Sequence, residues 1–282
     1  MNRHTEIVAP AQTDIPGYDD DGNLLKISAD GPVMTYDGEN RLSSVEYNGL
    51  LGDVNGDKAV NLADAVASLQ VAAGMTPPGV TAVGDVNTDG RIGVGEAVHA
   101  LQVSAGIKTT ATAARKLAFA YDYMGRRVKK AVYAANNLIY ETLFVWNGWN
   151  LIEETTRRGD AENSRYFVWG LDLSQSFEGA GGIGGLLCMA NANASYHYLY
   201  DANGNVGQLV NAIDGTTAAH YEYDPFGNLT AKSGPYADAN PFRFSTKYFD
   251  RETGLYDFGL RDYLPELGRW TSRDPIEEEG GV

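Results

Sequence analysis

The chain has one cysteine, Cys188, so it can form no internal disulfide. Basic residues are scarce: 22 Lys and Arg face 37 Asp and Glu, and a net charge of −15 argues against nucleic acid, whose phosphates need clustered cations. No apolar run approaches the ~18 residues of a membrane-spanning helix. The opening Met1-Asn-Arg-His-Thr-Glu-Ile-Val8 holds no apolar stretch long enough for a signal peptide. The four histidines, His4, His99, His197 and His220, are scattered and form no metal pattern. His99 reads as a surface residue of a helix. Cys188 has no base near it in sequence and reads as a small buried apolar side chain. Gly179-Ala-Gly-Gly-Ile-Gly184 matches the dinucleotide glycine pattern, but no helix follows to receive a pyrophosphate. A turn is the better reading.

Two near copies of one segment are present: Gly52-Asp-Val-Asn-Gly-Asp-Lys-Ala-Val-Asn-Leu-Ala-Asp64 and Gly84-Asp-Val-Asn-Thr-Asp-Gly-Arg-Ile-Gly-Val-Gly-Glu96. A twelve-residue calcium loop takes ligands at positions 1, 3 and 5, a carbonyl at 7, a side chain or water at 9 and a carboxylate at 12. In the first copy these are Asp53, Asn55, Asp57, the carbonyl of Ala59, Asn61 and Asp64. In the second they are Asp85, Asn87, Asp89, the carbonyl of Arg91, Gly93, which leaves its place to water, and Glu96. Two calcium ions are expected. Lys58 occupies the sixth position of the first loop, where glycine is usual, and adds a positive charge, so that site is expected to be the weaker. Val60 and Ile92, both at position 8, are placed to pair the loops back to back.

Each loop is followed by about three turns of helical pattern, Val66, Leu69 and Ala73 in one copy and Val98, Leu101 and Ala105 in the other. Gly74 and Gly106 are the stops. A loop followed by one helix, given twice, is the duplication of an EF-hand-like dockerin, and residues 52–106 resemble a type I dockerin. The resemblance implies a cohesin-like module on another protein as partner, with calcium holding the recognition helices in place. Many cellulosomal dockerins carry a hydroxylic pair at loop positions 10 and 11, where this chain has Leu62–Ala63 and Val94–Gly95.

A second repeat occupies the rest: Tyr18-Asp-Asp-Asp-Gly22, Tyr121-Asp-Tyr-Met-Gly125, Tyr200-Asp-Ala-Asn-Gly204 and Tyr223-Asp-Pro-Phe-Gly227, with a degenerate copy at Tyr36-Asp-Gly-Glu-Asn-Arg-Leu42. Each offers an aromatic ending a strand, an Asp to cap a turn, a Gly for the positive backbone angle and an apolar start to the return strand. Hairpins are predicted. These units resemble the YD repeats of RHS proteins. Asn240-Pro-Phe-Arg-Phe, Lys247-Tyr-Phe-Asp-Arg-Glu-Thr-Gly-Leu-Tyr256 and Pro265-Glu-Leu-Gly-Arg-Trp-Thr-Ser-Arg-Asp-Pro-Ile276 resemble the RHS repeat-associated core. Together the resemblance spans residues 18–48 and 115–277.

The RHS resemblance implies a β-sheet wound into a shell around a toxic segment or cargo, with a core region that in many members frees the cargo as an aspartyl protease. In this chain Arg261-Asp-Tyr-Leu-Pro265 puts Leu264 where the family has the aspartate implicated in cleavage, which argues against self-cleavage. Asp262 and Asp274 remain a conceivable acid pair, and a self-processing protease is the disfavoured alternative.

The expectation is therefore a mainly β, non-enzymatic partial shell of roughly fifteen to twenty strands, with a small all-α insertion. It divides into a disordered segment 1–17, YD strands 18–49, the dockerin-like insertion 50–108, further YD sheet 109–239 and the core motif 240–282. Neighbouring RHS shell segments are expected partners, and surface display, attachment or toxin delivery the role. The expected location is extracellular or at the cell surface, with the true N-terminus upstream.

Overall fold

Alternation of side chains along the chain becomes an antiparallel meander. The computed structural model describes residues 7–9, 12–14, 16–28, 31–75, 77, 79–80, 84–87 and 91–275. Strands β1 (Ile7–Ala9) and β2 (Gln12–Asp14) pair with each other, where the sequence predicts disorder. A second small pair is β3 (Gly17–Tyr18) with β4 (Leu24–Lys26). Twelve strands then form one sheet in unbroken sequence order. They are β5 (Val33–Tyr36), β6 (Leu42–Leu50), β7 (Thr112–Tyr121), β8 (Arg127–Ala134), β9 (Asn137–Asn147), β10 (Asn150–Arg158), β11 (Ala161–Trp169), β12 (Leu186–Asn191), β13 (Ser195–Tyr200), β14 (Val206–Asn211), β15 (Thr217–Tyr223) and β16 (Leu229–Ser233). A four-stranded sheet closes the described chain: β17 (Tyr248–Asp250), β18 (Leu255–Asp257), β19 (Asp262–Leu264) and β20 (Arg269–Trp270). The α-helices among the described residues are α1 (Leu62–Ala72) and α2 (Val94–Ser104).

All five Tyr-Asp units make hairpins with one construction. Tyr18, Tyr36, Tyr121, Tyr200 and Tyr223 pair with Leu24, Leu42, Arg127, Val206 and Leu229, each six residues on and each at a register shift. The aspartate after each tyrosine accepts, through Oδ1, the N–H four residues later, at 2.8–3.0 Å. Its Oδ2 accepts from that same residue's side chain, Asn23, Arg41, Arg126, Asn205 or Asn228. The degenerate copy works because Asn40 adopts the positive φ, 59°, that the other units give to glycine. Tyrosine hydroxyls link one unit to another. Tyr36 donates to Leu24 O, Tyr121 to Leu42 O and Tyr223 to Val206 O, each acceptor being the residue that begins another unit's return strand.

The C-terminal segment lies on one face of the large sheet, because that face presents the apolar half of each alternation. Phe242 meets Phe167, Trp169 and Tyr248 edge-on, with centroids 5.0–5.8 Å apart. They join a core that includes Phe144, Met189, Tyr198 and Leu209. Leu255 and Leu264 enter a second core with Leu24, Met34, Val45 and Leu117.

The loop–helix pair sits between β6 and β7, which pair directly from Ser44↔Ala118 to Leu50↔Thr112. Leu51 N adds one further bond, to Ala111 O at 2.7 Å. Residues between these points leave and return at a single hairpin end, so the ladder is not interrupted. Helices α1 and α2 pack on each other, and Gly74 and Gly106 follow them at φ 82° and 70° as helix stops.

Candidate functional site

In the first loop the side-chain oxygens are organised by backbone N–H groups. Asp53 accepts from Gly56 N and Lys58 N, Asn55 Oδ1 from Asp57 N, and Asp57 Oδ1 from Ala59 N. Asp64, at position 12, reaches back to Val54 N and Asn55 N with one oxygen and to Asn61 N with the other. It thereby closes the loop and, with Asn61, caps α1. Lys58 takes the left-handed conformation, φ 68°, that the sharp turn at position six requires. Burial raises the pKa of Asp53, and the carboxylates of Asp64 and Asp57 add to that shift against the N–H bonds from Lys58 and Gly56, which lower it. The loop is thus rich in side-chain oxygens, the kind of donor a hard divalent cation takes, and these oxygens are engaged by the loop's own N–H groups.

The second loop repeats the closure. Glu96 accepts Val86 N at 3.2 Å and Gly93 N at 2.7 Å, and its carboxyl is pushed up by burial, then further by Asp85. Asp85 is buried and faces Arg115 of β7, Nη2 to Oδ2 at 3.0 Å. A cation from the sheet therefore stands at the first ligand position. Asp89 lies outside the described residues. Among the described residues no three His, Cys, Asp or Glu side chains converge as a metal cluster.

The helices turn their larger apolar residues outward. Leu62, Val66 and Leu69 on α1 and Val94, Val98 and Leu101 on α2 are 46–61% exposed. The buried residues of the two helices include the small Ala65, Ala67, Ser68, Ala97 and Ala100, of which Ala65 and Ala100 cluster with Val60. His99, expected at the surface, is instead 9% exposed and abuts Gly52, and burial lowers its basicity. Periodicity misled here because apolar and small residues share the same spacing.

A second concentration of charge lies where β17–β19 meet the large sheet. Arg127 Nη2 is 2.9 Å from Asp262, its Nη1 3.5 Å from Asp250 and its Nε 3.6 Å from Asp257. Its guanidinium also covers the Phe119 ring at 4.4 Å. Lys130 Nζ contacts Asp250 at 3.1 Å and Glu252 at 2.8 Å. Tyr140 donates to Glu252 Oε1, and Tyr47 to the Glu252 carbonyl. Desolvation, partly offset by Arg127, pushes Asp262 up to about 7, and Asp250 is also raised by burial. Burial opposes ionisation of Glu252 too, but the charges of Lys130 and Arg251 with the hydrogen bonds from Lys130 and Tyr140 together outweigh it and hold that carboxyl low.

Sequence reasoning named Asp262 and Asp274 as a pair. The structure gives them different arginines, Asp262 to Arg127 and Asp274 to Arg261 at 2.8 Å, and groups Asp262 with Asp250 and Asp257 instead. Leu264 is buried in the apolar core. The glycine-rich stretch 179–184 is a turn tied to Asp172, whose carboxylate accepts from Ser174, Ala180 and Gly182. Strand β12 follows it rather than a helix. Cys188 is half-buried, with its thiol raised by desolvation.

Residues 181–278 match the family model described as teneurin YD-shell. A segment of 43 residues is 51% identical to the toxin protein Tse5 of Pseudomonas aeruginosa, covering 15% of this chain and 3% of that protein. Loose superpositions exist with the crystal structure of TcdB2-TccC3 without its hypervariable C-terminal region (TM-score 0.37, 13% identity, 96% of this chain, 16% of that one). The Photorhabdus luminescens Tc holotoxin pore gives a TM-score of 0.28 at 14% identity over 94% of this chain and 16% of that one. The chain thus spans a small part of each. The family-model match and the Tse5 segment support an RHS/YD-repeat shell.

Proposed function

We propose that this chain is a non-enzymatic segment of an RHS/YD-repeat shell, working outside the cell or at its surface in toxin delivery or attachment, and that its insertion is a dockerin-like, calcium-binding module. The carrying observation is the duplicated loop closure, in which Asp64 and Glu96 each join the N–H groups of positions 2 and 9. The matching exposed stripes on α1 and α2 favour a protein partner, and a cohesin-like module is the partner class. Neighbouring shell segments are the partners of the sheet, in keeping with relatives whose names describe assemblies.

Calorimetric titration of metal-stripped protein tests the reading. Two calcium-binding events are expected, one abolished by Asp53→Ala and the other by Asp85→Ala. No heat up to millimolar calcium would sink it. A calcium-dependent pull-down against cohesin modules tests the partner, and silence across a panel would retire that assignment. The buried cluster of Asp250, Asp257 and Asp262 favours one rival, self-cleavage by the core region. A discrete mass loss on prolonged incubation, absent in Asp262→Asn, would establish it.

A further inference from the structure

The four acids of the buried charge cluster all come from the C-terminal segment, and the two cations they meet both come from β8. Asp250, Glu252, Asp257 and Asp262 sit on Arg127 and Lys130, and each of the six side chains is at most 8% exposed. Charge is shared unevenly across this seat. Lys130 serves Asp250 and Glu252, whereas Arg127 spans Asp250, Asp257 and Asp262 and hydrogen-bonds Asp262 through Nη2. Three ionised carboxylates around one guanidinium repel one another strongly where water is excluded. A proton on one of them relieves that repulsion and leaves every group in place. Other groups around Asp262 are neutral or engaged elsewhere. Tyr36 of β5 and Tyr121 of β7 are kept neutral by burial. Arg41 and Arg261 line the same small cavity, but Arg41 pairs with Asp37 and Glu39, and Arg261 with Asp274. Lys247, lowered by burial against the pull of Asp257 and Asp172, donates to Gly181 O at 2.6 Å. On the Lys130 side, Tyr140 of β9 and Tyr47 of β6 bond to Glu252, and Arg251 also acts on that carboxylate.

We propose that a proton held at Asp262 fastens the C-terminal strands to the large sheet, and that its loss loosens this joint while the large sheet stays paired. The direction follows from the environment of Asp262. Burial, opposed by Arg127 and reinforced by Asp257 and Asp250, pushes its carboxyl from 3.8 up to about 7. In the loosened state the group meets water and returns to its ordinary value, so seating takes up a proton. The joint therefore weakens as pH rises from about 4 to about 7 and then levels off. Apolar contacts of Phe242, Tyr248, Leu255 and Leu264 hold the strands at any pH, and the proton sets how often they lift. The device is independent of calcium and lies in the sheet, not in the insertion.

The test is native-state hydrogen exchange on the full chain between pH 5 and pH 8, corrected for the intrinsic pH dependence of amide exchange. Two backbone bonds tie the C-terminal segment to the rest and serve as reporters: Leu24 N to Thr271 O at 2.7 Å and Val206 N to Arg243 O at 3.1 Å. The paired strands β9 and β10 are the control. Opening at the reporters is expected to rise about tenfold or more across this range in the parent, with the control unchanged. Asp262→Asn, which keeps the shape of the neutral carboxyl, is expected to hold the reporters at their pH 5 protection throughout. A flat profile in the parent overturns the proposal, and so does an equal rise in Asp262→Asn. An equal rise in β9 and β10 also overturns it, because the whole sheet would then be loosening. Where Asp262→Asn does not fold, the parent decides: a rise confined to the reporters supports the joint, and any other profile overturns it.

Discussion

The inserted module and the sheet that carries it are stabilised by different means. In the module the buried apolar cluster is Val60, Ala65 and Ala100, and it leans on Leu50, which belongs to strand β6 of the host. Its loops are closed by the carboxylates of Asp64 and Glu96. The sheet has two aromatic and aliphatic cores and, beneath its C-terminal strands, a buried set of ions. A small core leaves a module dependent on its loops and on its attachment, whereas a large core can tolerate, and conceal, an expensive charge cluster.

The contrast is sharpest at Lys130. Lys130→Met strands Asp250 and Glu252 without their ammonium partner and is expected to cost about 3–5 kcal/mol in urea unfolding. A loss below about 1 kcal/mol would mean the cluster is not a structural element of the sheet. The pH dependence comes next. Asp262 is raised by burial from 3.8 to about 7, so the folded chain keeps a proton that the unfolded chain has released. Stability from this group therefore falls as pH rises from about 4 to 7, by on the order of a few kcal/mol at most. Asp250 shifts in the same direction. Denaturation midpoints measured across that range should decline, and Asp262→Asn should flatten the slope.

At the turns, Asp224→Ala removes the acceptor for Asn228 N–H and for the Asn228 side chain. A loss of about 1–2 kcal/mol is expected in the same unfolding assay. Little change would mean that the backbone and Gly227 alone hold the turn. The smallest effect is expected on the module's open face. Leu69→Ser, although it removes a leucine from a helix, should shift stability by no more than about 0.5 kcal/mol, because that side chain is 49% exposed. A larger loss would show that the stripe is covered within this chain.

Hairpins and helix stops were legible because each depends on neighbours within about a dozen residues. Gly74, Gly106 and the Tyr-Asp turns required no distant partner. The residue that completes each turn, Asn23, Arg41, Arg126, Asn205 or Asn228, was overlooked, although its signal is present: Asn or Arg recurs four places after each aspartate. The outward stripes of α1 and α2 could not be separated from a core stripe by spacing, since periodicity defines a face but not what it meets. His99 was misplaced for the same reason.

By itself the sequence determined the antiparallel, hairpin-built character of this protein and the duplicated oxygen-rich loops, because turn chemistry and the loops' residue spacing are local properties. Tertiary structure alone decided which charges share a buried environment. Lys130 lies 120 residues from Asp250, Arg127 lies 135 from Asp262, and Arg115 lies 30 from Asp85. Their pairing follows from strand register and the seating of the C-terminal strands on the large sheet. Desolvation, the force that shifts these groups, exists only once those surfaces have met.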